Sequence, residues 1–314
     1  MSRKILRIGT RRSDLALWQA NQVRQQLLAR SPQFEVELVK IDTRGDKVLT
    51  QPIPEVGGKG LFTEEIDQQL RRGEIDLAVH SLKDLPTELP DGLMLAAVCD
   101  RRWVHDVLIA GGNFTLATLP SGSRVGTCSL RRTAQVKAFR RDLKILPLRG
   151  NVPTRLRKLE NGDYDAIVLA EAGVRRLGLD AQIREVIATE ILLPAPAQGA
   201  LGIEIRADDL ELKQMLAPIN DEIAACETAS ERSLLQALGA GCQVPVAALA
   251  RVNDGELRCE ALVASVYGEK IVRDAITGPA AEAITLGKKL AQSLWWHGAD
   301  KILGSRTEWT SVER

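Results

Sequence analysis

Five arginines fall where the chain turns from strand to helix: Arg11, Arg131, Arg132, Arg149 and Arg155. A guanidinium stays charged at physiological pH and presents a planar fork that fits a carboxylate or phosphate. Helix N-termini add backbone N–H groups and the positive end of the dipole, and in open α/β sheets ligands collect at the carboxyl ends of strands. Two such units facing each other would form a cleft for a polyanionic small molecule, each charged hydrogen bond contributing about 1.5–3 kcal/mol. For any one arginine the plain reading is a solvated surface charge, and the clustering weighs against it. Lys83-Asp84 follows a short apolar strand and precedes a proline turn. Its carboxylate either works among cations or simply caps the turn and neutralises Lys83. Cys242 sits in a glycine turn, where a thiol could be exposed and deprotonated; a lone cysteine equally serves as buried packing.

Other chemistries find less support. There is no G-x-x-x-x-G-K-[ST] and no G-x-G-x-x-G opening a βαβ unit, so neither a P-loop nor a dinucleotide site is expected. The loop at 57–60 reads as a flap or plain turn. Five widely spaced cysteines without a C-x-x-C, and three histidines, argue against a disulfide framework and a structural metal, and for a reducing compartment. No apolar run reaches the roughly 18 residues of a membrane span, and the N-terminus lacks a signal-peptide core. Net charge is +1, but it is a cancellation. Residues 121–160 carry 11 basic and two acidic side chains, whereas 200–314 carry 12 basic and 17 acidic. Of the 42 basic residues, 29 are arginine. The basic segment has only Phe139 as an aromatic and no nucleic-acid reading motif, so a nucleic-acid partner is not expected.

The elements that must position these residues follow from periodicity. A strand at 5–9 leads to Ser13, which reads as the N-cap of a helix with Leu17, Ala20, Val23, Leu27 and Leu28 on its apolar face. Strands at 34–41 and 75–80 bracket a helix carrying Ile66 and Leu70, a β–α–β–α–β pattern that predicts an α/β unit. A second such unit begins after about Arg101, with strands at 124–127, 145–148 and 165–170. Its helices open after Ser129 and Asn151, and Arg175-Arg176 lies on the next helix. The proline-rich stretch 193–199 reads as a hinge, and a strand at 200–206 rejoins the first sheet. A helix at 221–238, three strands with Asn253-Asp254-Gly255 as a hairpin turn, and a last helix at about 279–296 predict a smaller α+β unit.

Six motifs in order then resemble one family. They are Gly57-Gly-Lys-Gly-Leu-Phe62, His80-Ser-Leu-Lys-Asp-Leu-Pro86 and Gly126-Thr-Cys-Ser-Leu-Arg-Arg132, followed by Leu148-Arg-Gly-Asn-Val-Pro-Thr-Arg155, Pro196-Ala-Gln-Gly-Ala200 and Gly241-Cys-Gln-Val-Pro245. Together they resemble the porphobilinogen deaminases (hydroxymethylbilane synthases), over nearly the whole chain. The resemblance implies two α/β domains like the lobes of type II periplasmic binding proteins, plus a smaller C-terminal α+β domain. By position these are residues 1–100 with 200–218, 101–199, and 219–314. It implies a transferase that condenses four porphobilinogen molecules head to tail, losing ammonia each time, and releases hydroxymethylbilane. The cofactor would be dipyrromethane, held as a thioether on Cys242.

The resemblance also distributes roles. Asp84 would be catalytic, stabilising positive charge at pyrrole N–H groups. Lys83, Ser129, Arg131 and Arg132, with Asp84 itself, would hold the cofactor. Arg11, Ser13, Arg149, Arg155 and Arg176 would hold substrate carboxylates, with Phe62 stacking on a ring and Gln198 and Gly199 in the hinge. It further implies a cytoplasmic monomer whose product passes to uroporphyrinogen-III synthase. Three positions depart from the family pattern. Trp103-Val104-His105-Asp106 stands where the family usually has Asp-Pro-Arg-Asp, Glu55 replaces a common lysine, and Cys128 replaces a common serine. The rival reading is a non-enzymatic anion-binding protein on the same two-lobed scaffold, which would need neither Lys83-Asp84 nor a third domain with Cys242.

Overall fold

The computed structural model describes residues 5–47, 63–239 and 244–304. Glu55, the loop at 57–60, Phe62 and Cys242 lie outside the described residues.

The first unit begins with β1 (Ile5–Arg11), α1 (Asp14–Arg30) and β2 (Glu35–Ile41). Ser13 caps α1, its hydroxyl accepting from the Ala16 N–H at 3.3 Å, and Ala20, Val23 and Leu27 are buried on the helix face that meets the sheet. After α2 (Glu64–Arg71) come β3 (Leu77–Ser81) and β4 (Leu93–Cys99). The chain then crosses into a second sheet. There β5 (Asp106–Ala110) and β6 (Arg124–Gly126) precede α3 (Leu130–Phe139), and β7 (Lys144–Leu146) precedes α4 (Val152–Glu160). The unit closes with β8 (Ala166–Ala170), α5 (Glu171–Arg176) and β9 (Glu185–Ile187). Residues 188–200 lead back to β10 (Leu201–Arg206) in the first sheet, followed by α6 (Leu210–Leu216).

The two five-stranded sheets repeat one pattern. Their orders are β2-β1-β3-β10-β4 and β7-β6-β8-β5-β9. In each, the first three strands are parallel and the fourth is antiparallel to both neighbours. That fourth strand, β10 or β5, is the one fed by a crossover from the other sheet. Parallel strands covered on both faces bury both sets of side chains. This is why β8 reads Ala-Ile-Val-Leu-Ala without alternation and is almost wholly buried. The two-lobed α/β class is therefore as expected. The periodicity reading passed over β4, β5, β9 and α6. β4 and β5 are apolar runs without a period-two signal, β9 has three residues, and α6 is seven residues long.

The third unit is the expected smaller α+β arrangement. α7 (Glu222–Ala237), capped by Asp221, and α8 (Ala283–Leu294) pack against an antiparallel sheet of β11 (Val246–Asn253), β12 (Glu256–Ala264) and β13 (Ile271–Pro279). Asp254 and Gly255 both have positive φ, 50° and 79°, as a tight two-residue hairpin requires. One buried carboxylate ties the crossovers to this unit. Glu231 on α7 accepts from Arg101 at 2.6 Å, from the Ala197 N–H at 2.6 Å and from the Ala250 N–H at 2.7 Å. Burial raises its pKa, and Arg101 opposes the shift.

Candidate functional site

The residues that follow β1, β3, β6, β7 and β8 face one another across a cleft of about 650 Å³. Its first wall comes from the β1–α1 turn and the segment after β3. Gln19 on α1 is buried and donates to the Ser81 hydroxyl at 2.8 Å, which sets that edge of the wall. Arg11 and Ser13 line the cleft. Beyond Ser81 the chain makes a single 3₁₀ turn, Leu82–Asp84, whose Leu82 N–H donates to the Ala200 carbonyl at 3.0 Å. Asp84 is exposed to the cleft. Lys83 reaches Gln198 Oε1 only at 3.4 Å and forms no ion pair among the described residues. Burial pushes its pKa down to about 8; Asp84 opposes this and Arg132 adds to it.

The second wall stands on helix starts. Ser129 caps α3, accepting from the Arg132 N–H at 3.4 Å, and Asn151 caps α4, accepting from the Thr154 N–H at 2.9 Å. Behind α3 lies Asp106, 0% exposed, at the first position of β5. Arg131 donates to its Oδ2 at 2.7 Å, and Arg132 donates to its Oδ1 through Nε at 3.0 Å and Nη2 at 2.7 Å. Gln198 adds a donation to Oδ1 at 3.2 Å while holding the Val104 carbonyl at 2.8 Å. Burial alone would raise the Asp106 pKa, but the two guanidiniums hold it well below the usual carboxylate range. Burial lowers the pKa of Arg131 in turn.

Arg155 on α4 donates to the Gly150 carbonyl at 2.7 Å and forms no ion pair among the described residues. Burial, with Arg132 nearby, lowers its pKa to about 10. Arg176 on α5 bridges the units, donating to the Asp100 carbonyl at 2.8 Å, the Asp100 carboxylate at 3.2 Å and the Gly199 carbonyl at 2.6 Å, while its buried Nε has no partner among the described residues. Trp18 of α1 lies 5.5 Å from this guanidinium. Gly199 must be glycine, because its φ is +90° and an added Cβ would stand 2.5 Å from the Trp103 carbonyl oxygen.

The cleft thus gathers Arg11, Ser13, Lys83, Asp84, Arg132, Arg149, Arg155, Arg176, Gln198 and Gly199. Ser129 and Arg131 stand behind its surface: the first acts as a helix cap, and the second is committed to Asp106 and the Leu193 carbonyl at 2.8 Å. Asp106 is the residue that sequence reasoning underrated. Its partners are 25 and 26 positions away, so no local spacing announces them. Gln19 carries no local signal in the sequence beyond its place in a helix, and Cys128 lines the cleft with Arg155. In the departing segment, Trp103 takes the Arg102 guanidinium over its ring at 4.7 Å, and Val104 is buried. The hinge there is packed by aromatic and apolar contacts. Chemically, among the described residues the cleft offers cations in excess of carboxylates and one open carboxylate, Asp84, on the first wall.

Comparison with known proteins agrees with this chemistry. A family model described as "Porphobilinogen deaminase, dipyromethane cofactor binding domain" matches residues 6–214, and "Porphobilinogen deaminase, C-terminal domain" matches residues 225–295. A porphobilinogen deaminase of Geotalea daltonii is 48% identical over 303 residues, covering 96% of this chain and 95% of that one. One from Geobacter metallireducens is 49% identical over the same length and the same shares of both chains. Among solved structures, a probable amino-acid ABC transporter extracellular-binding protein from Bacillus subtilis aligns at 12% identity and a TM-score of 0.45, covering 74% of this chain and 97% of that one.

Proposed function

The chain belongs to the porphobilinogen deaminase family, and from that premise we propose that its cleft condenses four porphobilinogen molecules head to tail onto a dipyrromethane primer, each addition releasing ammonia and water finally freeing hydroxymethylbilane. The observation that carries the reading is that two cations of the cleft, Lys83 and Arg155, have no carboxylate ion pair among the described residues. Both are half-buried, and desolvation pulls both pKa values down. Each porphobilinogen brings an acetate and a propionate, so carboxylates seated there would relieve a desolvation penalty the protein carries in their absence. The donor set therefore fits dipyrromethane, itself a tetracarboxylate.

When bound, dipyrromethane supplies the pyrrole carbon on which chain growth begins. The protein's own groups do the rest. Lys83, Arg132 and the α3 start capped by Ser129 hold the cofactor acids, with Arg131 stiffening Asp106 from behind. Arg11, Ser13, Arg149, Arg155 and Arg176 orient the side arms of incoming substrate, and Phe62 stacks on a ring. Gln198 and Gly199 join the walls at the hinge. Asp84 accepts from pyrrole N–H groups and stabilises the positive charge that develops on substrate as ammonia departs. Cys242 carries the cofactor as a thioether, a bond that a reducing cytoplasm does not cleave. We read the chain as three domains, 1–100 with 200–218, 101–199, and 219–314, and as a cytoplasmic monomer that hands its product to uroporphyrinogen-III synthase. No described helix is long and apolar enough to cross a membrane.

Intact mass spectrometry tests the core of this. The expected result is a mass above the polypeptide by one dipyrrole, mapped to the peptide containing Cys242. A bare chain that also leaves porphobilinogen unconsumed would overturn the reading in favour of a plain anion-binding protein.

A further inference from the structure

Asp84 makes no side-chain hydrogen bond or ion pair among the described residues, so its main chain places the carboxylate. A 3₁₀ turn has poor hydrogen-bond geometry and leaves carbonyls open at its end. Here the carbonyls of Leu85 and Pro86 are filled from another unit, while that of Leu82 already accepts from the Leu85 N–H at 3.2 Å. Arg232 on α7 donates through Nη1 to the Leu85 carbonyl at 2.9 Å and, at longer range, to the Leu82 carbonyl at 3.5 Å. Its Nη2 donates to the Pro86 carbonyl at 2.6 Å. One helical turn on, Gln236 donates to Glu88 at 3.2 Å. Arg232 forms no ion pair among the described residues, and burial lowers its pKa to about 10, with the more distant Glu204 opposing. A guanidinium kept half-buried for main-chain carbonyls alone serves geometry rather than charge balance. The helix that carries it ends at Ala237, five positions before Cys242.

We infer that Arg232 is a positioning residue for Asp84, fixing the 82–86 turn relative to the helix that leads to Cys242. The inference rests on the function proposed above. A cavity of about 290 Å³ beside Arg232 leaves room for an altered side chain. Arg232→Met should lower kcat by about tenfold to a hundredfold, the scale of an ångström-size misplacement, with KM and cofactor load changed by less than about twofold. Amide exchange across 82–88 should quicken, and Arg232→Lys, which keeps a donor but not the fork, should recover part of both. Unchanged kcat, or kcat lost only together with cofactor mass and the denaturation midpoint, overturns the inference. If the wild-type chain carries cofactor yet leaves porphobilinogen unconsumed, the functional reading fails instead. The positioning claim is then decided by exchange at 82–88 alone, where unaltered protection sinks it.

Discussion

The two walls of the cleft grow from sheets of the same topology, yet the Asp106 cluster on one and the Lys83-Asp84 pair on the other handle charge in opposite ways. Arg155 on the second wall stands, like Lys83, outside any ion pair among the described residues. The second wall keeps its own counterion. Asp106 sits under α3 and satisfies Arg131 and Arg132 before any ligand arrives, so those guanidiniums are pre-aimed and their charge is partly spent. The first wall leaves Lys83 without an ion pair among the described residues and Asp84 open, so its charge answers to what binds and to pH. A cation neutralised by the protein gives a rigid, permanent surface, whereas one left open gives affinity and reactivity at the cost of desolvation.

The largest expected effect lies on the open wall. A carboxylate ~4 Å from a developing cation at an effective dielectric of 20 is worth about 4 kcal/mol, or roughly a thousandfold in rate. Asp84→Asn should therefore cut steady-state turnover by about that factor while intact mass still records the dipyrrole. Near-normal turnover would move the chemistry elsewhere.

On the paired wall the effect should be on folding. Asp106→Asn leaves two buried guanidiniums uncompensated and should cost about 3–5 kcal/mol, read as a lower urea midpoint. Because the folded pKa of Asp106 is depressed, its contribution is complete above the unfolded carboxylate value of about 3.9 and fades as pH falls through the folded value. A variant as stable as wild type would show that the second wall does not depend on its counterion.

The smallest effect is a titration. Lys83, lowered to about 8 by burial, loses its proton and its hold on carboxylates as pH rises. Affinity for porphobilinogen should fall through a limb at or above that pH, since bound carboxylates can only move it upward, and Lys83→Arg should flatten it. The same limb in both proteins would remove the distinction between a titratable and a fixed wall.

Much of this was legible in the sequence. Ser13, Ser129, Asn151 and Asp221 announce helix starts because capping is local, a side-chain oxygen reaching an N–H two or three residues on. The return of β10 to the first sheet was readable from a hinge followed by an apolar strand. β4 and β5 are not readable in this way, because both are apolar runs: β5 is buried throughout and so lacks the alternation that marks a half-buried strand, and β4 lacks it although its middle is only partly buried. The motif and its place at a helix start group Arg131 with the ligand-binding arginines; that it also donates to Asp106 and to the Leu193 carbonyl is not legible there, since those partners are 25 and 62 positions away.

The sequence by itself determined the residue types: a surplus of forks and ammonium groups at strand ends, a carboxylate before a proline turn, and motifs sufficient to identify a family. Tertiary structure decided which charges remain open. Whether an arginine meets solvent or an aspartate 25 positions away depends on sheet order and crossover paths. Those paths bring distant residues within a few ångströms, and at that range burial and Coulomb attraction change steeply with distance, while separation along the chain carries no such information.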